Sequence, residues 1–370
     1  MRVTYFAHSL LSCWNHGNAH FLRGVLRALI RKGNEVAAFE PTSAWSLAHL
    51  LADHGQGGLA PYLAAYPELC SNQYGADLDL AAVLADQDLV IVHEWNEPWL
   101  VAAIGRLRKR GARFTLLFHD THHRAVSDPE AIRHFDLDGY DGVLAFGEAL
   151  ARIYRRWGWG DRVFVWHEAA DTSLFHPPVE DEEREGLVWI GNWGDGERTE
   201  ELAAFLLRPA RRAGLSLDIH GVRYPQAALE TLSRHGARYR DWLPNVLAPG
   251  AFSRHIATVH VPRHFYVEAL PGIPTIRVFE ALACGIPLLS APWHDTEGLF
   301  RVGEDYLLAR TEAEMCAHMR AVAQDRDLAA SLVANGLMTI RERHSCAHRA
   351  QELIAIISRL RSETRLEVAR

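Results

Sequence analysis

Short apolar segments alternate with helical patterns along most of this 370-residue sequence. The first segment, Val3 to Ala7, precedes a helical pattern over 19–31 and a second apolar segment, Glu35 to Phe39. Strands that are apolar throughout and separated by helices are typical of parallel sheets, because both faces of such a sheet are covered. The alternation therefore predicts an α/β protein, in which residues 43–86 are helical and irregular. The further predicted strands are 89–92, 114–118, 142–146, 163–166, 186–190, 216–220, 257–261 and 287–290.

The length allows two domains, because 370 residues exceed the usual size of a single hydrophobic core. A strongly acidic run at 179–185, VEDEERE, is predicted to be an exposed linker between them. We therefore place one Rossmann-like domain at 1–178 and a second at 179–345, followed by a C-terminal helix at 346–370. Each domain is expected to be a doubly wound parallel sheet.

Composition argues against several classes of function. The formal net charge is −7, whereas broad nucleic-acid binding needs a basic surface, so no nucleic-acid partner is expected. No apolar run reaches membrane-spanning length, although peripheral membrane contact stays open. The N-terminus has no signal-peptide pattern, and the five cysteines are an odd number without close spacing. These features are typical of a cytoplasmic protein with reduced thiols.

Residues 271–293 combine a Gly/Pro loop, a short helix and a buried strand. The helix is predicted to begin near Thr275, an N-cap residue, and to end at Cys284-Gly285, where glycine suits a left-handed C-cap. A helix N-terminus after such a loop offers N–H groups and a positive dipole end, which suit a phosphate. Glu280 lies beside the apolar helix face and needs a partner, either sugar hydroxyls or Arg277. The alternative is an amphipathic helix with a surface Glu–Arg pair.

The segment FEALACGIP at 279–287 resembles the acidic motif of retaining GT-B glycosyltransferases of the large group-1 family (family 4 type). It is most similar to relatives that resemble the spore-maturation protein CgeB, which carry Arg-x-Phe-Glu before an Ala-Cys-Gly turn, as 277–285 does here. The usual motif has another glutamate eight residues before Glu280, and that position is Gly272. Glu268 is nearby but out of register. The departure removes one implied contact to the donor sugar.

Other segments are similar to the same family. The segment 168–177 resembles the one that closes the N-terminal domain, and 239–245 resembles a Gly-Trp-Leu-Pro segment close to the base. The resemblance implies that Arg198, beside a Gly-rich loop, neutralises the donor diphosphate, because a guanidinium can bind two oxygens. A solvated arginine at a helix start is the alternative. Arg263 is expected to be a second phosphate contact or a partner for Glu268.

Polar clusters follow two predicted strands of the first half, HEWNE at 93–97 and HDTHH at 119–123, where open α/β sheets bind ligands. The resemblance implies that His119 sits over the donor sugar, where its imidazole hydrogen-bonds a hydroxyl and stabilises charge at the reacting carbon. A metal site in the second cluster and a loop histidine without a task stay open. Gly17 resembles the glycine of the family's first loop, or simply forms a turn.

The resemblance implies GT-B architecture, with an acceptor-side domain at 1–178 and a nucleotide-sugar-binding domain at 179–345 facing a cleft, and with a last helix that crosses back to the first domain. It implies retaining, metal-independent transfer of a sugar from a UDP- or GDP-linked donor to a hydroxyl of a small molecule or glycan, without a cofactor. A nucleotide-sugar epimerase and a non-catalytic nucleotide-sugar-binding protein are the alternatives. His119 and Glu280 are the implied catalytic residues. The implied donor-binding residues are Gly17, Asn18, Asn192, Arg198, His220, Gly221, Trp242, Leu243, Arg263, Pro274, Thr275, Ile276, Arg277 and Glu280.

Overall fold

The computed structural model describes residues 1–179, 183–194 and 196–368, so residues 180–182 of the predicted linker lie outside the described residues. The chain divides into two compact units. Unit 1 contains Met1–Glu168 together with the C-terminal helix, Cys346–Val368. Unit 2 contains Ala169–Ser345.

Unit 1 is built on a parallel sheet. Its strands are β1 (Arg2–Phe6), β2 (Glu35–Pro41), β3 (Ser71–Tyr74), β4 (Leu89–His93), β5 (Thr115–Asp120), β6 (Gly142–Ala145) and β7 (Val163–Val165). Their order is β3-β2-β1-β4-β5-β6-β7. Val3 of β1 pairs with Val36 on one side and with Leu89 on the other. The order reverses between β1 and β4, and the crevice at such a switch point is where doubly wound sheets bind ligands.

The strand β3 corrects the prediction that 43–86 contains only helices and irregular structure. Its sequence is Ser-Asn-Gln-Tyr, and only Tyr74 is buried, so no apolar pattern marks it as a strand. It lies at the edge of the sheet beside β2, where Asn72 Nδ2 donates to Ala38 O (3.0 Å). Because an edge strand has one neighbour and one open side, polar residues suffice there.

The helices of unit 1 cover the connections between these strands. The predicted helix over 19–31 is confirmed at both ends. The chain also contains 3₁₀ segments at Gln56–Leu59 and Gly160–Arg162 and a π-turn at Arg155–Trp159. The α-helices before β7 are α1 (Ala19–Arg31), α2 (Trp45–His54), α3 (Ala60–Ala65), α4 (Leu80–Leu84), α5 (Pro98–Lys109), α6 (Arg124–Ser127), α7 (Pro129–Arg133) and α8 (Glu148–Tyr154).

The C-terminal helix is held to unit 1 by Trp166, which follows β7 and is fully buried. Its indole Nε1 donates to Arg349 O (2.9 Å), and Arg349 Nε donates in return to His167 O (2.9 Å). The same indole packs edge-on against Phe21 of α1, with ring centroids 5.0 Å apart. One side chain therefore joins the last helix, the first helix and the end of the sheet.

Unit 2 repeats the same plan with a second parallel sheet. Its strands are β8 (Leu187–Ile190), β9 (Leu217–His220), β10 (Arg238–Tyr239), β11 (Ala257–His260), β12 (Leu288–Ser290) and β13 (Leu307–Leu308). Their order is β10-β9-β8-β11-β12-β13, so the switch point lies between β8 and β11. Leu187 of β8 pairs with Leu217 and with Ala257, and Ile219, Val259 and Leu289 belong to the buried core.

The helices of unit 2 include the one predicted near Thr275. It runs from Ile276 to Ala283 with Thr275 at the N-cap, and Gly285 has φ +64°, which confirms the left-handed conformation expected there. A π-turn at Ala203–Leu207 joins the first two helices. The α-helices are α9 (Thr199–Leu202), α10 (Arg208–Ala213), α11 (Gln226–Arg234), α12 (Ala248–Ser253), α13 (His264–Glu268), α14 (Ile276–Ala283), α15 (Glu312–Gln324) and α16 (Arg326–Arg343).

The boundary between the units lies at 168/169, whereas the sequence predicted 178/179. The intervening segment belongs to unit 2 because Ala170 forms a parallel bridge with Ser345 and its N–H donates to His344 O (3.0 Å). Phe175 in the same segment is fully buried. The two points at which the chain passes from one unit to the other are therefore joined by hydrogen bonding. No local sequence pattern indicates this pairing.

We expect the substitution Trp166→Phe to lower the free energy of unfolding of unit 1 by about 1–3 kcal/mol, because it removes a buried hydrogen bond and leaves a cavity. Chemical denaturation followed by circular dichroism would measure it. Trp99→Phe is the matched control, since Trp99 is 41% exposed and should change stability little. Equal stability of both variants would contradict the anchoring role.

Candidate functional site

A loop rich in glycine follows β8 and leads to Arg198, immediately before α9. The guanidinium of Arg198 is partly buried, and it donates from Nη1 to Val261 O (3.0 Å) and from Nη2 to Asn192 O (2.7 Å). It also lies over the indole of Trp189, 5.0 Å from the ring centroid. Arg198 therefore connects the loop after β8 to the end of β11. It is not the solvated arginine of the alternative prediction.

Three guanidinium groups of unit 2 lie within electrostatic reach of one another. Burial, and after it the charge of Arg263, lower the pKa of Arg198 to about 9, and Arg277 acts in the same direction. Arg198 Nε is buried and makes no hydrogen bond. Arg263 and Arg277 are each paired with a glutamate, whereas Arg198 donates to two carbonyl oxygens, so the charge of Arg198 is the one that a bound anion would neutralise. The three arginines come from the loop after β8, the end of β11 and the first turn of α14.

Arg263 forms an ion pair with Glu197 in the loop after β8. The main chain supports the same connection, since His264 N donates to Glu197 O (3.0 Å). The predicted alternative partner, Glu268, is wrong, because that residue is exposed at the end of α13. Glu197 and Arg263 are distant in sequence and meet only because β8 and β11 are neighbours in the sheet.

Glu280 of α14 is fully buried, and both of its carboxylate oxygens have partners. Oε1 accepts a hydrogen bond from Asn245 Nδ2 (2.6 Å), and Oε2 is paired with Arg277. Arg277 is thus the partner of Glu280, as expected. The alternative prediction of a surface pair is wrong, because the Glu280 side chain is fully buried. A contact from Glu280 to a ribose hydroxyl stays a prediction. The pair holds Arg277 at the start of the helix, beside the N-cap Thr275, whose side chain makes no capping bond.

The turns after β9 and β10 pack against the loop after β8. A Cβ on Gly221 would overlap Gly191 O, so only glycine allows the two turns to approach this closely. Tyr239 Oη donates to Gly221 O (2.7 Å), and burial lowers the pKa of the adjacent His220. Trp242 and Leu243 are half-buried and precede Asn245, the partner of Glu280. The segment predicted to lie close to the base is therefore attached to α14, where Pro274 and Ile276 are buried.

Gly272 has φ +94°, a conformation that side chains other than glycine's rarely adopt. A Cβ built at this position would overlap Thr296 Oγ1 and lie 3.2 Å from Glu297 Cγ and 3.3 Å from Glu297 Oε1. Thr296 Oγ1 donates to Pro271 O (3.1 Å), which fixes the loop against 271–272. The side chain of the glutamate that the usual motif carries at this position would not fit. The carboxylate of Glu297 lies beside the place where that side chain would begin.

His260 at the end of β11 was not identified from the sequence. Its side chain is buried, its Nδ1 lies 3.0 Å from Ser290 Oγ, and its Nε2 has no hydrogen-bond partner. Burial and the charge of Arg198 lower its pKa to about 3, so the ring is neutral at physiological pH. The edge of Trp293 faces it, with ring centroids 5.9 Å apart. The sequence signal that could have identified His260 is its position at the end of a predicted strand, shortly before Arg263.

In unit 1, the loop after β1 reaches the end of β5. Asn18 precedes α1, but its side chain does not cap that helix; Nδ2 donates to Thr121 O (3.2 Å) and to the hydroxyl of the same threonine. That hydroxyl also lies 2.9 Å from His93 Nε2. Gly17 and Asn18 are both half-buried. The predicted glycine loop is thus tied to the carboxyl ends of β4 and β5, and a donor contact from it stays a prediction.

His119 lies within β5, not in a loop after it, and its side chain is fully buried. Its Nδ1 is 2.6 Å from Tyr5 Oη, and its ring contacts Phe21 and Trp166 edge-on. Burial lowers the pKa of His119 to about 3. The expectation of a loop histidine is therefore wrong, and a contact between this buried ring and a sugar stays a prediction that the geometry does not favour.

The HDTHH cluster spreads its side chains in different directions. Asp120 accepts a hydrogen bond from Tyr154 Oη (2.7 Å), while the ring centroids of His122 and His123 lie 4.0 Å apart with their planes tilted by 34°. Within 1–179, 183–194 and 196–368, no group of three or more His, Cys, Asp or Glu side chains has the arrangement of a metal site. In the same ranges, no helix is both long and apolar enough to cross a membrane.

A cavity of about 510 Å³ opens in unit 1 near the switch point between β1 and β4. Part of its wall is the HEWNE segment at 93–97, as the position of that segment after a strand predicted, with Glu94 to Glu97 on the lining. His119 is not among the lining residues. His8, Trp45 and Arg124, which the sequence did not identify, line it instead.

Two family models match the sequence, one in each unit. The model described as "Glycosyltransferase Family 4" matches residues 17–174, and the model described as "Glycosyl transferase-like" matches residues 198–355. A comparison of the sequence with curated proteins gives no significant match.

Solved structures share the fold over almost the whole chain. HepE (Alr3699) from Anabaena, in complex with UDP and glucose, has a TM-score of 0.67 at 13% identity and covers 97% of this chain and 99% of its own. Sucrose-phosphate synthase from Thermosynechococcus elongatus has a TM-score of 0.66 at 14% identity, covering 98% and 100%. A mutant of T4 phage BGT in complex with UDP-glucose has a TM-score of 0.61 at 12% identity, covering 96% and 99%.

We expect Gly272→Ala and Gly272→Glu to lower the free energy of unfolding by at least about 1 kcal/mol each, because both force a side chain into a left-handed conformation against Thr296. Restoring the usual glutamate would thus weaken unit 2. Denaturation of the variants would measure this. Gly250→Ala, in helix α12 with nothing nearer than 3.8 Å to the added Cβ, is the control. In a Thr296→Ala background, the Gly272 substitutions should lower the free energy of unfolding by less, because the overlap with the threonine hydroxyl is removed. An equal loss in that background would contradict the steric explanation.

The buried histidines of unit 1 predict an acid-sensitive fold. Burial lowers the pKa of His8 to about 4 and of His119 to about 3, and lowers those of His16 and His93 well below 6.5. Because the unfolded chain takes up these protons first, the histidines lower the free energy of unfolding as pH falls from about 6.5 towards 4. Burial raises the pKa values of Glu94 and Asp120, which act in the opposite direction.

The test is therefore a comparison of variants. Urea denaturation at several pH values should show that His119→Gln flattens the acid slope by about 1.4 kcal/mol per pH unit relative to the unchanged chain. The control His294→Gln replaces an exposed ring and should keep the slope. Parallel slopes for both variants would show that His119 is not held neutral by burial.

Motif, family models and fold agree on one class of protein. The FEALACGIP segment lies in α14 and the turn after it, within the match at 198–355. The two matches together span most of both units. Each unit is a parallel α/β sheet of the kind expected for GT-B architecture. The similarity to CgeB-like relatives stays a prediction. The two matches and the fold identify the chain as a glycosyltransferase of GT-B architecture, with its two halves similar to the Family 4 and the glycosyl transferase-like models.

Proposed function

We propose that unit 2 binds a UDP-linked sugar, with its diphosphate against Arg198, Arg263 and Arg277. The observation that carries the proposal is the partly buried guanidinium of Arg198, which lies within electrostatic reach of Arg263 and of Arg277 in the first turn of α14. Guanidinium groups and helix N-termini are the standard partners of phosphate oxygens. The similar structures of HepE and T4 phage BGT are complexes with UDP or UDP-glucose, which supports uracil as the base.

The same groups stabilise the leaving group. When the bond from the anomeric carbon to the diphosphate breaks, negative charge develops on the departing oxygen, and preorganised cations lower the energy of that state. The charge can be balanced by guanidinium groups alone, so we propose that transfer is independent of a metal ion. Retention of the anomeric configuration is supported by the resemblance of 279–287 to the retaining group.

The carboxylate of Glu297 takes part in the proposed donor site. It lies beside Gly272, where the usual motif carries a glutamate that here has no room. The carboxylate belongs to the loop after β12, and its Oε1 would lie 3.3 Å from a Cβ at position 272. Glu280 holds Arg277 in position through their ion pair. By accepting a hydrogen bond from Asn245, Glu280 also links Arg277 to the segment that contains Trp242.

We expect Arg277→Ala and Arg198→Ala to weaken UDP binding by about tenfold or more, since each removes charge-assisted hydrogen bonds to the diphosphate. Isothermal titration calorimetry with UDP, GDP and their glucose conjugates would measure it, together with the free energy of unfolding of each variant. Arg234→Ala, on the exposed face of α11, is the control. Unchanged UDP affinity in both variants would remove the arginines from the site.

Activity is tested by release of free UDP from UDP-sugars in the presence of acceptors and of excess chelator. Retention predicts that the product keeps the anomeric configuration of the donor, which NMR of the product reports. UDP release that requires added metal would contradict metal independence. Conversion of one UDP-sugar into another without release would indicate the epimerase, and binding without turnover would indicate the binding protein.

A further inference from the structure

The ion pair between Glu197 and Arg263 lies in the proposed donor site. Glu197 immediately precedes Arg198, and Arg263 follows the end of β11. The pair joins Glu197 Oε2 to Arg263 Nη1. The charge of Glu197 raises the pKa of Arg198, whereas that of Arg263 lowers it, so the carboxylate lies within electrostatic reach of both guanidinium groups. Arg263 is thus bound to a carboxylate of the protein, although the proposed function assigns it to a phosphate.

This ion pair is accessible to water. The side chains of Glu197 and Arg263 are 26% and 24% exposed. The pair of Glu280 and Arg277 differs, because the Glu280 side chain has no exposed surface and also accepts a hydrogen bond from Asn245. Separating two paired charges costs little where water can solvate them and much where it cannot. Glu197 is therefore free to leave Arg263, whereas Glu280 stays on Arg277.

The main chain of Glu197 is held independently of its carboxylate. His264 N donates to Glu197 O (3.0 Å), and His264 Nδ1 lies 3.1 Å from the same oxygen. Glu197 N donates in turn to Gly194 O (2.8 Å). Rotation of the Glu197 side chain is therefore enough to release Arg263, and these main-chain bonds stay in place. Rotamer changes of exposed side chains take picoseconds to nanoseconds, on the order of the fastest motions of a folded chain.

A diphosphate and the Glu197 carboxylate compete for Arg263. Both are anions that accept hydrogen bonds from a guanidinium, and two anions at adjacent positions repel each other. Arg198 donates only to the carbonyl oxygens of Val261 and Asn192, so its positive charge attracts the diphosphate whichever partner Arg263 has. The diphosphate then replaces a single partly exposed carboxylate on Arg263.

We propose that Glu197 is an internal competitor of the diphosphate and thereby sets the affinity of the donor site for nucleotides. Before the donor binds, the carboxylate neutralises Arg263. When the donor binds, the carboxylate turns towards water and the diphosphate takes its place on the guanidinium. This role of Glu197 rests on the proposed function, because it names the group that the donor displaces.

The same competition assists release of UDP after transfer. UDP ends in a phosphate monoester, which carries about 0.5 to 1 more unit of negative charge at pH 7 than the phosphodiester of a UDP-sugar. The arginines therefore attract the product at least as strongly as the donor. Return of the Glu197 carboxylate to Arg263 offsets that attraction, so UDP leaves the site faster than it would from the arginines alone.

The variant Glu197→Gln keeps the size of the side chain and removes its charge. We expect it to tighten binding of UDP and of inorganic pyrophosphate by about tenfold or more, measured by isothermal titration calorimetry. Dissociation of mant-UDP, a fluorescent analogue, should slow by a similar factor in stopped-flow displacement. Binding of uridine, which has no phosphate, should stay within about twofold of its affinity for the unchanged chain.

Glu200→Gln is the matched control for the change in net charge. Glu200 is exposed in the first turn of α9, three residues after Glu197. We expect it to change UDP affinity by less than about twofold, because water and salt screen its charge. An equal gain in both variants would show a general effect of net charge and would overturn the role of Glu197.

A purely structural role makes the opposite prediction. If Glu197 only orients Arg263 for the phosphate, Glu197→Gln weakens UDP binding; weaker or unchanged binding therefore overturns the competition while leaving the donor site intact. An absence of UDP and pyrophosphate binding in the unchanged chain would overturn the proposed function, and the competition with it. Should the variant fail to fold, a crystal structure of the unchanged chain with UDP decides. Arg263 should then contact the diphosphate with Glu197 turned away, and an intact ion pair would contradict the exchange.

Discussion

Parallel strand pairing is the constraint on which both units depend. A parallel strand cannot follow its neighbour through a tight turn, so every crossover except the one from β12 to β13 carries a helix, and each strand ends in a loop at the same edge of the sheet. In unit 1 this places the loops after β1, β4 and β5 together, and in unit 2 it does the same for the loops after β8, β9 and β11. Residues that are far apart in sequence thereby become neighbours.

The two units carry side chains of opposite charge near the edge of the sheet at which their strands end. In unit 2, guanidinium groups from three elements lie within electrostatic reach of one another, and burial lowers the pKa of Arg198 to about 9. In unit 1, carboxylates outnumber the cations on the cavity wall, and the buried histidines are held neutral. The positive site suits a diphosphate, which is the group proposed to bind there.

Much of the fold could be predicted from local pattern, and the errors have physical causes. The helix over 19–31 and the left-handed Gly285 follow from periodicity and capping, which are local. The strand β3 was missed because its polar residues satisfy an edge position without an apolar pattern. His119 was placed in a loop because a histidine and an aspartate resemble a strand end, whereas burial beside Tyr5 extends the strand. The pair formed by Arg263 and Glu197 depends on sheet order, which no spacing in the sequence encodes.

The turn at Gly272 has a consequence for how this protein and its relatives diverge. Its backbone conformation and the neighbouring Thr296 leave no space for a side chain, while Glu297 supplies a carboxylate from the loop opposite. A chain that carries glutamate at 272 would need a different backbone there and a smaller or displaced residue at 296. The two loops should therefore covary as a unit across homologues. Grafting a donor preference from one relative to another would require exchanging both segments together.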